Sequence, residues 1–246
     1  SDDWVEANWL EQLYTIAKEQ EADIVVSDYY EEYPQKTIMR SKDDDSIIVL
    51  NRKETLLLTF QNKIACYLWS MLIRRDIAQE RFAPYRAFED YATVFAWMRH
   101  VNKAVMLHTP LYHYRQSANS CLHNNMKQNL IDWINATITR YELIKGTPFM
   151  QENTSQINAA YICSLVKGVK DVVRSPYDNK FKQSLLKKVS VEIKSIQLSS
   201  PYKLLGLKYF LRYRLLCQST DLFKFIVEKT AVFSFHQNKR KDNLYS

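Results

Sequence analysis

Two clusters of carboxylates and one arginine carry the residue types best suited to chemistry. The first cluster is Ser1-Asp2-Asp3-Trp4-Val5-Glu6. Adjacent carboxylates ahead of a helix can hold a hard divalent cation, which prefers oxygen ligands and bridges to phosphate oxygens. The same aspartates can also simply cap the helix that follows. The second cluster is Phe88-Glu89-Asp90-Tyr91. A carboxylate there can act as a general base toward an attacking hydroxyl, or the pair can serve only as helix-start anions favoured by the macrodipole. The arginine lies in Leu111-Tyr112-His113-Tyr114-Arg115-Gln116-Ser117-Ala118-Asn119-Ser120. Leaving a strand for a polar loop, Arg115 can grip a diphosphate with its guanidinium or remain an ordinary surface cation.

These groups need rigid elements behind them. Trp9, Leu10, Leu13, Tyr14 and Ala17 recur at helical spacing, which predicts an amphipathic helix over residues 6–20. The β-branched run at 22–29 reads as a buried strand. A polar excursion with Asp43-Asp44-Asp45 follows Pro34, then a short strand at 47–50. Asn51 with Glu54 has capping-box spacing for a second helix. Phe88, Tyr91, Phe95 and Met98 share one helical face over 88–100, and Thr109-Pro110 separates short strands at 104–108 and 111–115. Beyond residue 125 the pattern is helical around 127–145, 154–174, 179–197 and 202–230, punctuated by Pro148, Pro176 and Pro201.

Composition narrows the function classes. Three glycines in 246 residues leave no room for a Walker A loop or a Rossmann fingerprint, whose tight turns need residues without a Cβ. Cys66, Cys121, Cys163 and Cys217 are widely spaced, which argues for reduced thiols in a cytosolic protein rather than a zinc or disulfide framework. No apolar run is long enough to span a membrane. Charge divides the chain: residues 1–125 hold 14 Lys+Arg against 18 Asp+Glu, and residues 126–246 hold 20 against 9, ending in a basic Lys239-Arg240-Lys241 tail.

Taken in order, Asp2-Asp3-Trp4-Val5-Glu6, Asn8-Trp9-Leu10-Glu11, Ala22-Asp23-Ile24-Val25-Val26-Ser27-Asp28-Tyr29, Leu72-Ile73-Arg74-Arg75-Asp76, Arg81-Phe82, Phe88-Glu89-Asp90 and Pro110-Leu111-Tyr112-His113-Tyr114-Arg115 resemble the second half of family 2 glycosyltransferases of the GT-A fold. Each motif is short; the ordered set over about residues 1–123 carries the resemblance, and residues 126–246 add little to it. The resemblance implies an α/β fold, a partial nucleotide-diphospho-sugar transferase-like sheet over 1–125, followed by an all-α basic extension over 126–246. It implies an inverting hexosyltransferase of bacterial surface polysaccharide synthesis, taking a nucleotide-sugar donor to a glycan or lipid-linked glycan acceptor. On that reading the chain is a piece of a longer protein. The family's nucleotide-binding βαβ half is missing, and the piece alone is expected to be inactive.

Residue by residue, the resemblance makes Asp2 and Asp3 the end of a metal-binding D-x-D motif for Mg²⁺ or Mn²⁺, and Asp90 the base, with Glu89 placing the acceptor. Trp69, Arg81 and Arg86 fall where such enzymes contact sugar or acceptor. Arg115, Gln116, Ser120 and His123 fall in the loop that closes over the diphosphate. Met71 departs from the family, where lysine is frequent.

The basic back half admits other readings. Residues 201–232 alternate apolar clusters with Lys203, Lys208, Arg212, Arg214, Lys224 and Lys229. Such a helix can lie on an anionic membrane surface, putting the protein at the inner face of the membrane, or pack on the catalytic domain with a solvated basic face. A non-catalytic basic binding module for membrane or nucleic acid is the rival reading, although no nucleic-acid recognition motif is present. Asp3, Asp90 and Arg115 around one cleft would favour the transferase; the same residues on scattered surfaces would favour the module.

Overall fold

A computed structural model of the chain describes residues 2–41, 45–117 and 126–230. Asp43, Asp44, Ser120, Cys121, His123 and the Lys239-Arg240-Lys241 tail lie outside them. The chain divides into two compact units, Ser1–Asn129 and Leu130–Ser246, the division falling inside the helix Met126–Glu142. The first unit is mixed α/β around a mixed six-stranded sheet, and helices follow it.

The strands are β1 (Trp4–Val5), β2 (Ile24–Tyr33), β3 (Lys36–Arg40), β4 (Ile47–Asn51), β5 (Met71–Ile73) and β6 (Lys103–Arg115). β2 and β6 run parallel through the middle. The free side of β2 pairs antiparallel with β5 at residues 24–26 and with β3 at residues 29–33. The free side of β6 pairs antiparallel with β4 at residues 103–107 and with β1 at residues 112–113. Ile24, Val25, Ala104 and Val105 are fully enclosed, as an apolar run flanked by strands on both sides requires.

Three details depart from the sequence expectations. Residues 104–115 are not two strands. Thr109-Pro110 sits inside β6, where Ser27, Asp28 and Tyr29 face Leu107, Pro110 and Tyr112 across two register shifts. Proline has no N–H for the ladder, so a bulge is where a strand tolerates it. Buried His108 occupies the same irregularity, with Nδ1 2.8 Å from Asp28 Oδ2. The second departure is β3, an unexpected hairpin partner of β2 turned at Pro34-Gln35. The third lies at residues 202–230, described below.

Helix α1 (Trp9–Glu19) packs Leu13 and Ile16 onto Val25, Val105, Leu107 and Leu111 of the sheet. Asn51 opens α2 (Arg52–Phe60) with the expected capping box: its Oδ1 accepts from Glu54 N at 3.0 Å, and Glu54 Oε2 accepts from Asn51 N at 3.0 Å. α3 (Glu89–Met98) packs on α2, with Phe60 and Phe95 edge to face at 5.4 Å. Buried Asp23 binds the central strands together at one end. It accepts from the backbone N–H groups of Asn102 at 2.6 Å and Lys103 at 3.2 Å, and from the Arg74 guanidinium just after β5. A buried charge needs such partners.

The second unit contains α4 (Met126–Glu142) from Leu130 on, α5 (Pro148–Glu152), α6 (Thr154–Arg174), α7 (Asn179–Lys194) and α8 (Pro201–Gln218), then a helical stretch over 220–230. α6 is buried almost all round, from Ile157 to Val173, and packs against α7 and α8. Tyr141 stacks on Tyr161 at 4.1 Å and donates to Asn158 Oδ1 at 2.9 Å. The single helix expected over 202–230 is kinked at Gly206 (φ 69°) and broken at Ser219, whose Oγ accepts from Leu222 N at 3.2 Å as an N-cap.

Candidate active site

Side chains alternate between the two faces of a strand, and the central pair of strands uses that alternation to build an aromatic wall. Tyr29 and Glu31 of β2 lie opposite Tyr112 and Tyr114 of β6. Trp69, from the short 3-10 turn Leu68–Ser70, covers this face. Its ring stacks at 4.5 Å on Tyr112, 5.3 Å on Tyr114 and 4.9 Å on Tyr67, and meets Tyr29 edge-on at 5.0 Å. The turn is pinned by Ser70, whose Oγ donates to Tyr67 O at 2.9 Å and whose carbonyl accepts from Ser27 Oγ at 3.3 Å. Burial pushes the Tyr29, Tyr67 and Tyr114 phenols above their ordinary range, so all three remain neutral hydrogen-bonding groups.

Opposite the wall stands the start of α3. Phe88, immediately before it, adopts the left-handed conformation (φ 62°, ψ 22°) without a side-chain cap. A bulky residue there costs roughly 1–2 kcal/mol, a strain found mainly where the surrounding structure needs a particular orientation. Here the turn delivers Glu89 and Asp90 to a cavity of about 400 Å³ lined also by Tyr29, Tyr67, Trp69, Arg86, Tyr114 and Gln116. Asp90 Oδ1 accepts from Tyr91 N at 2.6 Å. Burial raises the Asp90 carboxyl to about 6, and the neighbouring Glu89 charge adds to the rise against the opposing backbone hydrogen bond. The approach loop is held to α3 by Ala83 N donating to Thr93 Oγ1 at 2.9 Å and by Trp97 Nε1 donating to Glu80 O at 3.1 Å.

Asp3 belongs to the same sheet face. Its Oδ2 accepts from the Tyr112 hydroxyl at 2.8 Å, and its Oδ1 accepts from Arg115 N at 2.9 Å. It is therefore half-buried and anchored, whereas Asp2 is exposed. Each Asp3 oxygen retains a lone pair, and exposed Asp2 is its neighbour in the chain. Mg²⁺ and Mn²⁺ take one or two carboxylates and complete their shell with water and phosphate oxygens, so these are the residues that could hold such an ion. Among the described residues no group of three His, Cys, Asp or Glu side chains could hold a metal by itself.

The structure gathers Trp69, Arg86, Glu89, Asp90 and Gln116 around one cavity. Asp3, Asp90 and Arg115 do not line one cleft as expected of a transferase: Asp3 lines neither that cavity nor the next, and Arg115 is placed differently. It alternates with Tyr114 and shares the face of His113, with its guanidinium 5.5 Å over the Trp4 ring. It lines a neighbouring cavity of about 460 Å³ with Trp4, Glu32 and Tyr33; Gln116 lines both cavities. His113 is sandwiched there between Trp4 (4.8 Å) and Tyr30 (4.7 Å), with Glu32 at Nδ1 and Glu6 at Nε2. Arg81 is exposed and lines neither cavity.

Sequence reasoning missed Tyr29, Tyr67, Tyr114 and Glu31 as cavity residues. Period-two alternation in Tyr29-Tyr30-Glu31-Glu32 and Tyr112-His113-Tyr114-Arg115 carried the signal, but reading it required knowing which strands are neighbours. Glu31 accepts from Arg40 at 2.8 Å, and that hydrogen bond holds its carboxyl below the ordinary range. In comparisons with known proteins, no family model matches the chain and no curated protein matches it.

Proposed function

We propose that this chain is the acceptor-side portion of a GT-A glycosyltransferase that moves a sugar from a nucleotide-diphosphate donor to an acceptor hydroxyl with inversion. The observation that carries the reading is Asp90: a shielded carboxylate, presented by a strained turn, facing an aromatic wall in a cavity large enough for a sugar ring. Aromatic faces pair with the apolar faces of sugar rings, while Glu89, Arg86 and Gln116 supply hydrogen bonds at the rim.

In this mechanism the Asp90 carboxylate takes the proton of the acceptor hydroxyl, whose oxygen bonds to the anomeric carbon. The bond from that carbon to the donor phosphate oxygen breaks, and the nucleoside diphosphate departs with the electron pair. Asp2 and Asp3 would hold Mg²⁺ or Mn²⁺, which when bound offsets charge on the departing diphosphate. Tyr112 and the Arg115 backbone keep Asp3 in orientation. One carboxylate base suffices, unlike the pair a glycosidase uses.

The test is a transfer and donor-hydrolysis screen over a panel of nucleotide sugars with Mn²⁺, on the longer chain that the resemblance implies. Turnover that disappears in Asp90→Asn and in EDTA is the expected result. Turnover with every donor absent, or unchanged in Asp90→Asn, would overturn the reading.

A further inference from the structure

The last helices of the second unit have two faces that differ in kind. Inward, Leu205, Leu216, Phe223 and Val227 are buried, and Ser190 Oγ donates to Leu216 O at 3.1 Å, so the segment is seated on its own unit. Outward, a helix with a solvated basic face should present polar residues. Instead Tyr202, Leu207, Leu211, Leu222 and Phe225 stand 44–59% exposed. Cations lie between them. Lys203, Lys208 and Arg214 are exposed, and neither they nor Arg212 makes an ion pair among the described residues. Residues 193–220 contain no Asp or Glu at all.

We propose that this outer face is a docking surface for an anionic lipid bilayer. Apolar side chains at helical spacing, 207, 211 and then 222 and 225 after the Ser219 break, can enter the boundary between headgroups and acyl chains. The lysines and arginines then lie at the level of the lipid phosphates, where each adds to the attraction of an anionic surface. Among the described residues no helix is long and apolar enough to cross a membrane, so the contact is peripheral. The charge pattern selects this occupant. A second copy of the same face would oppose cation to cation, and a nucleic acid would gain nothing from leucines and a phenylalanine spaced among the cations. Docking of this face on a bilayer requires no glycosyl transfer and no substrate.

The test is sedimentation of the full 246-residue chain with vesicles of phosphatidylcholine alone and of phosphatidylcholine with one-third phosphatidylglycerol. The expected result is binding to the anionic vesicles only, released by salt as screening weakens the attraction. Leu207→Ser/Leu211→Ser should weaken it at least about tenfold, because membrane binding scales with buried apolar area. Lys208→Glu/Arg214→Glu should weaken it similarly. All four positions are outside the core, and unchanged circular dichroism and melting verify the fold of each variant. Equal binding to both vesicles, or binding to neither, would overturn the proposal. So would full anionic binding by the double-serine variant, self-association that depends on Leu207 and Leu211 without vesicle binding, or tighter binding to duplex DNA through the same cations.

Discussion

In the sheet unit, Asp23 reaches Arg74 51 residues on and Lys103 80 residues on, and Asp3 reaches Arg115 112 residues on, each through side-chain hydrogen bonds. The helical unit is built another way. α6 turns its own Ile157, Ile162, Leu165, Val166 and Val169 into the interior, all fully enclosed, and keeps its own charges outside, although the unit also buries Asp132 and Arg140. Polar bonds over long sequence separations fix orientation, which the proposed base in its cavity needs. Apolar packing fixes volume and leaves the outer surface free for other uses. The difference suggests that substitutions in the first unit change chemistry before stability, and that those in the second do the reverse.

The sharpest break in that contrast would come from Asp90→Asn. The variant keeps the shape and the hydrogen bond from Tyr91, and should lower turnover at least about a hundredfold with donor affinity little changed. Stability should move the other way. Folding raises the Asp90 carboxyl to about 6, so it favours the protonated form, and its ionised form costs folded-state stability above that pH. The Asn variant should therefore melt higher than the parent chain at pH 8, by at most about 3 kcal/mol in stability, and the gap should close below about pH 4 as the wild-type carboxyl protonates. A lower melting temperature for the variant at pH 8 would contradict the burial argument.

The mirror experiment is Leu165→Ala in α6. It should cost about 2–5 kcal/mol as a cavity opens, seen as a fall in the chemical denaturation midpoint, while the turnover of molecules that remain folded is unchanged. A loss of turnover without loss of stability would mean that the units are not so distinct. Next in size is Asp3→Ala. Its bonds to Tyr112 and Arg115 N give Asp3 a structural task besides the proposed metal role. Removing it should cost about 1–3 kcal/mol in addition to metal-dependent turnover. Asp2→Ala should weaken metal dependence with no measurable change in melting.

These cases mark what was legible in the sequence. Local signals read well: the Asn51–Glu54 box, the amphipathic α1 and the strand expected at 22–29, found as the first part of β2, all rest on neighbours a few residues apart. Sidedness read poorly. Which face Arg115 takes depends on the bulge at Thr109-Pro110 and on pairing with β2, and neither is encoded within the motif around Arg115. The Ser219 break was not legible because apolar residues continue at helical spacing on both sides of it. Glu89 and Asp90 were visible as a pair, but the wall that shields them was not. It is assembled from β2, the Trp69 turn and β6, segments more than 80 residues apart at their extremes.

The smallest expected effect tests the cause of the Asp90 shift. Burial is the larger contribution and the charge of Glu89 the lesser one. On the proposed mechanism turnover needs ionised Asp90, so its acid limb should fall near pH 6. Glu89→Gln removes the neighbouring negative charge and leaves the wall of Tyr29, Tyr67 and Trp69 in place. Ionisation of Asp90 then becomes easier, and the limb should move down by no more than about one pH unit, staying above the ordinary aspartate range. The ratio kcat/KM should fall modestly if Glu89 also orients the acceptor, and that loss would appear mainly in KM. A limb that drops all the way to about pH 4 would mean that charge, not shielding, sets the base. The polar rim of the cavity would then matter more than its aromatic wall, and the contrast between a unit that orients and a unit that fills would lose its clearest example.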